Sequence, residues 1–210
     1  MRKAGPFDVY DFLGSAGGFT AFLTTRELTP GRLVRHCEYT HLFSPLLRAG
    51  LKIKKCTQVH GKSVVAVTRE DDGEFTADAL CTNDQNLALM ISVADCCPVF
   101  VCDPRTGAMG IAHSGKKGTS MNVAGELIVK MCEQYDCRIR DLFAQIGACI
   151  RPPYYELDIA SAIKSQLLDA GLNLDQISDC GTNTAADIGR YYSYRMEKGH
   201  TGRMAAVLFR

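Results

Sequence analysis

An excess of charge of either sign is what this chain most lacks. Its 24 Lys and Arg are matched by 23 Asp and Glu, so no overall field draws it to nucleic acid or to an anionic membrane. Long apolar runs are missing too: LALMISVA at 87–94 is far too short to span a bilayer. The amino-terminal MRKAGPFDVYDFLGSAGG is interrupted by Asp, Pro and Gly and has no continuous signal-peptide core. A cytoplasmic location is therefore expected, where the ten cysteines stay reduced. No paired C-x-x-C motif occurs, which excludes a zinc finger. Tryptophan is absent altogether.

What is present reads as a strand-rich chain expected to form one domain over residues 1–210. Short β-branched or aromatic runs bounded by Gly, Pro, Asn or Asp occur at 18–25, 51–59, 62–68, 78–82, 87–93, 98–103, 108–113, 144–150 and 203–209. Three helices are predicted among them. The first lies within 37–50, regular from about Ser44 because of Pro45 and stopped by Gly50. The second stacks Val123, Ala124, Leu127, Ile128 and Met131 behind a Thr119 or Ser120 cap. The third runs from Asp158 to Gly171. Strands in hairpin-like runs with inserted helices indicate an α+β fold, mixed β-sheets layered with flanking helices. Cys37, Cys56, Cys81, Cys102 and Cys132, set among apolar neighbours, are expected to be small core hydrophobes.

Polar residues gather at three strand ends. In T-Q-V-H-G (57–61), Gly61 and Lys62 form a tight turn between two strands and leave His60 at the rim. In A-D-C-C-P (94–98), Cys96 ends a strand. In A-H-S-G-K-K-G-T (112–119), His113 ends a strand ahead of a glycine loop and a helix. Two imidazoles and one thiolate suit Zn²⁺ with an open fourth position. Copper accepts the same donors, usually with an axial Met that is not evident here. Without metal, Cys96 and His113 would be a thiolate and its base. The S-G-K-K-G-T loop resembles an anion cradle with Lys117 as its charge; the competing expectation is an ordinary glycine turn with solvated lysines.

These motifs stand in a particular order: Q-V-H-G (58–61), D-A-L-C-T (78–82), A-D-C-C-P-V (94–99), H-S-G-K-K-G (113–118), I-G-A-C-I (146–150), S-Y-R (193–195) and T-G-R (201–203). From about Thr24 onward the chain resembles the YfiH-like family, also called the laccase-domain or multicopper polyphenol oxidoreductase family. The resemblance implies layered sheets with flanking helices, distantly like cytotoxic necrotizing factor. It implies one zinc on His60, Cys96 and His113. It implies purine nucleoside phosphorylase activity on adenosine, inosine, guanosine or methylthioadenosine, with adenosine deamination as a side activity. Its partners would be a small nucleoside and phosphate, with Cys96, His113 and Lys117 in catalytic roles and Arg26, Gln58 and Lys117 at the substrate.

The chain also departs from the family's pattern. H-A-G-W-R-G is H-S-G-K-K-G, so Lys117 replaces an arginine and brings a point charge instead of a planar fork. G-P-C-I is G-A-C-I, keeping Cys149, and T-T-R-E-L-T-P-G-R leaves Arg26 at the amino-terminal edge of the site. Asp78 and Asp95 are the candidate acids, with a structural role as the competing reading for each, and Cys97 is the competing neighbour of Cys96. Three other readings stand beside the phosphorylase: a metal-free Cys/His amidohydrolase acting on an amide or a cell-wall amino-sugar peptide, a copper polyphenol oxidase, and a degenerate metal-binding partner protein. Five histidines are few for multicopper oxidation.

Overall fold

A computed structural model of the chain describes residues 1–28 and 50–210. The helix expected within 37–50, and Cys37 with it, lie outside the described residues apart from Gly50. Two six-stranded sheets carry the described fold. Sheet one holds, in spatial order, β1 (Arg2–Ala4), β2 (Phe7–Val9), β3 (Thr20–Thr24), β12 (Met204–Phe209), β7 (Leu87–Val93) and β4 (Lys52–Lys55). Sheet two holds β11 (Ile177–Asp179), β10 (Phe143–Ile146), β8 (Cys97–Cys102), β9 (Met109–Ser114), β6 (Ala79–Thr82) and β5 (Val64–Ala66). Both are mixed: β4 with β7, β10 with β11 and β5 with β6 are parallel, and the other pairs are antiparallel. Four helices accompany them among the described residues: α1 (Asp11–Gly17), α2 (Lys116–Ser120), α3 (Val123–Tyr135) and α4 (Ile159–Asp169). The expected α+β class is the observed one.

Alternation along the strands makes the layers. Leu87, Leu89, Ile91 and Val93 of β7 meet Phe100 and Cys102 of β8 and Met109 and Ile111 of β9 between the sheets. The opposite face of sheet two, with Val99 and Val101 of β8 and Ala112 of β9, packs on Val123, Leu127 and Met131 of α3 and Ile163 and Leu167 of α4. Because β8 is buried on both faces, it reads as an unbroken apolar run. Cys56, Cys81 and Cys102 are core residues as expected, while Cys132 is only partly buried.

Four local expectations are corrected. The segment expected to form one helix from a Thr119 or Ser120 cap forms two, because Asn122 sits in the left-handed region (φ 59°) and its side chain caps α3 by accepting from Gly125 N–H at 3.1 Å. The strand expected over 144–150 ends at Ile146: after Gly147 N–H bonds Pro98 C=O at 2.9 Å the chain leaves the sheet, with Cys149 making only an isolated bridge to Asn183. The turn at Gly61 joins strands of different sheets, β4 and β5, so no hairpin forms there. Cys96 lies between β7 and β8, with Asp95 before it at φ 80°.

Candidate metal centre

The register of sheet two brings the first two donors together. Pro98 of β8 faces His113 of β9, and His113 N–H bonds Asp78 C=O at 2.7 Å just before β6 begins. By the period of two, His113 lies on the same side as Met109 and Ile111, toward sheet one, and Cys96 lies opposite to Cys97. Cys97 faces the helix side, fully buried, with its Sγ 3.6 Å from Pro98 C=O. Cys96 is left at the open rim.

His60 arrives on the loop between the sheets, and one carboxylate holds it there. Asp78, fully buried, accepts from the N–H of Val59 (3.2 Å), His60 (2.9 Å) and Gly61, and contacts His113 Nδ1 at 2.9 Å. Those bonds fix the loop while His60 takes a left-handed φ of 59°. They also commit Nδ1 of His113 and leave Nε2 as its remaining nitrogen, the usual arrangement of a carboxylate behind a metal-ligating imidazole. Gln58 anchors the same loop to sheet one: its amide donates to Ser92 C=O at 2.9 Å and accepts from Ser92 N–H at 2.8 Å.

His60, Cys96 and His113 converge, with one donor atom from each lying within 4.8 Å of the others. Two imidazoles 4.7 Å apart between centroids and a thiol between them form a donor set that could hold a metal ion. The close approach requires Gly115. A Cβ there would stand 2.6 Å from Cys96 Sγ, with no room for any side chain. Burial works against a Cys96 thiolate, but hydrogen bonds and charge from His113 and His60 prevail and hold its pKa down at about 6. His113 mirrors this: burial opposes its cation, while Asp78 and Cys96 raise it to about 9. Cys81 is pushed up by burial to about 11, because Tyr135 and Lys130 oppose burial there too weakly to prevail.

The centre opens into a cavity of about 1430 Å³ whose wall includes Gln58, Phe75, Tyr155 and Tyr194 and the cations Lys55, Lys116, Arg195, Lys198 and Arg203. Lys116 lines it; its neighbour Lys117 is exposed on α2 and is not part of the wall. Arg26 is also absent from the wall. Its guanidinium pairs with Glu197 at 2.7 Å and lies over the Tyr192 ring at 4.2 Å. Asp95 is occupied as an acceptor from Thr184 Oγ1 (2.7 Å), Ser193 Oγ (2.9 Å) and Arg195 N–H (2.7 Å), tying the carboxyl-terminal loops to the residue before Cys96. These carboxyl-terminal wall residues belong to irregular segments, and only S-Y-R and T-G-R marked them in the sequence.

A profile of the family described as multi-copper polyphenol oxidoreductase laccase matches residues 43–159 and 154–210. The chain belongs to this family. Among curated relatives, purine nucleoside phosphorylase YlmD of Bacillus subtilis is 29% identical over 189 residues, 72% of this chain and 68% of that one. A purine nucleoside phosphorylase of Deinococcus radiodurans is 31% identical over 176 residues, 73% of this chain and 68% of its own. The fold is shared with the crystal structure of YlmD from Geobacillus stearothermophilus (TM-score 0.82, 23% identity, 100% of this chain and 98% of that one). It is shared also with that of YfiH from Bacillus licheniformis (TM-score 0.80, 22% identity, 98% and 99%). Among the described residues no helix is long and apolar enough to cross a membrane.

Proposed function

We propose that this chain is a zinc-dependent purine nucleoside phosphorylase that also deaminates adenosine. The observation that carries the reading is the convergence of His60, Cys96 and His113 within 4.8 Å at the wall of a cavity rimmed by cations. Relatives named purine nucleoside phosphorylase add to it. Three donors of N and S type, with a carboxylate behind one imidazole, suit zinc with an open position. This is the one cluster of three or more metal-ligating side chains among the described residues, which favours a single ion over a multicopper chain. The nine cysteines among them are all free, as suits the reducing cytoplasm.

In phosphorolysis an oxygen of phosphate forms a bond to the ribose C1′, the bond from C1′ to the purine nitrogen breaks, and the base leaves with a proton. Zinc bound at the three donors would supply a Lewis acid. His113, its Nδ1 held by Asp78, keeps one orientation throughout, and Cys96 is held as thiolate between the two imidazoles. Asp78 and Asp95 are each spent on three or more donors, so both hold the frame and neither is the proton donor to the departing base. Phosphate is received by the wall cations, and Lys117, outside the wall and one residue beyond Lys116, would add only its charge to the approach; Arg26 and Gln58 support the substrate side by fixing the loops that bound it.

The test is incubation with adenosine, inosine, guanosine or methylthioadenosine, with and without phosphate, before and after chelation and return of zinc. Ribose 1-phosphate or its methylthio analogue together with free base, formed only with phosphate and only with metal, is the expected result. Inosine from adenosine should form without phosphate. Products that ignore phosphate and chelation would overturn the reading.

A further inference from the structure

One group of charges at the cavity mouth belongs to neither the metal cluster nor the frame that supports it. Lys116 and Arg195 both line the cavity and both reach the same carboxylate, Glu156, which lies outside the wall. Arg195 Nη2 is 3.1 Å from Glu156 Oε2, and Lys116 Nζ is 3.6 Å from Oε1. All three side chains are more than half exposed. Ion pairs so exposed are weak and exchange readily for another anion.

The two cations are held differently. Arg195 is fixed at three points: its N–H on Asp95 at 2.7 Å, its guanidinium on Glu156, and its stack over the Tyr155 ring at 5.2 Å. Among the described residues Lys116 has Glu156 as its one ion-pair partner, and it otherwise ends a flexible stem. Both are nevertheless tied to residues next to the same cysteine. Asp95, which clamps Arg195, precedes Cys96 in sequence, and Gly115, which precedes Lys116, lies against Cys96 Sγ. A fixed fork and a mobile point charge therefore share one cavity wall with His60, Cys96 and His113, bridged by a carboxylate.

We propose that Lys116, Arg195 and Glu156 form an exchange gate for a phosphate group: Glu156 holds the two cations in the free protein, and an entering phosphate takes them over. Glu156 is a positioning residue and a competitor at once, and it sets how tightly phosphate binds. The inference rests on the phosphorylase reading, which makes phosphate a co-substrate. The same chemistry would also receive a phosphate ester carried on the nucleoside.

The experiment is calorimetric titration of the protein as purified with inorganic phosphate, with inosine 5′-monophosphate and with inosine, each alone so that neither phosphorolysis nor deamination can run. Glu156→Gln removes the competing charge and should tighten phosphate binding about two- to fivefold, the scale of an exposed ion pair. Glu156→Asp should restore wild-type affinity. Arg195→Ala should weaken phosphate about tenfold or more, because a charge-assisted fork is lost, and Lys116→Ala should weaken it less. Inosine should bind alike in all variants, and unchanged melting curves establish that each is folded. Tightening confined to inorganic phosphate identifies the free co-substrate; tightening of the monophosphate as well identifies the ester. Unchanged or weakened phosphate binding in Glu156→Gln, or wild-type binding in Arg195→Ala, overturns the gate. Because binding is read directly, the gate can stand where phosphorolysis fails, and the phosphorylase reading can stand where the gate fails.

Discussion

Asp78→Asn isolates the carboxylate on which the whole centre is hung. Asp78 accepts three backbone N–H groups from 59–61 and contacts His113 Nδ1, and it is fully buried. Asparagine keeps the shape but offers one acceptor oxygen, and its NH₂ then points at groups that donate. About two of the four interactions are lost or become repulsive, and charge-assisted bonds contribute about 1.5–3 kcal/mol each, so about 3–5 kcal/mol of folding stability should go. For a chain of this size that is a fall of about 10 °C in Tm. Zinc affinity should fall about 10- to 100-fold, the usual consequence of releasing the carboxylate behind an imidazole ligand. Thermal unfolding of metal-stripped protein separates the first effect from the second, which is read by competition against a chromophoric chelator. A variant with wild-type Tm and wild-type zinc affinity would refute the assignment of Asp78 as the common support of both histidines.

Two further outcomes are expected. Cys96→Ser should lose about one zinc per chain by elemental analysis, since a hydroxyl is a far poorer ligand than thiolate, whereas Cys97→Ser should keep its zinc and lose about 1–2 kcal/mol through a buried hydroxyl without well-placed partners. For Glu197, burial raises the carboxyl pKa, but Arg26, Thr201 Oγ1 and Ser193 N–H outweigh it and hold the pKa below the usual carboxylate range. A depressed pKa contributes stability that is present at neutral pH and lost as pH falls through the folded value, so Glu197→Gln should cost about 1–2 kcal/mol at pH 7, and the difference from wild type should close in acid.

The strands from Thr20 to Ile146 and the last one were legible because their apolar residues alternate or run unbroken between turn residues, as in LALMISV and PVFVC. The amino-terminal β1, β2 and α1 were not. Two strands of three residues leave too short a pattern, and Asp8 within β2 reads as a loop residue. Its burial depends on Arg190 and Tyr191, more than 180 residues away in sequence, and no local signal announces such a pairing. The three candidate metal donors were visible as a Cys and two His expected at strand ends. The roles of Asp78 and Asp95 were not, because a buried acceptor and a catalytic acid are the same letter until their donors are placed.

The loop at the candidate metal centre also ties the two sheets together at this end. The loop carrying His60 leaves sheet one after β4, is pinned to β7 through Gln58 and Ser92, and is pinned to sheet two through Asp78. His113 and Cys96 stand on sheet two and at its rim. An ion held by all three would close a ring through both sheets, so its binding energy would enter the packing between them as well as the chemistry. Asp78 sits where that ring and the β6–β9 register meet. One buried carboxylate thereby sets the distance between the histidines, and the β8–β9 register within sheet two sets the distance of His113 from Cys96.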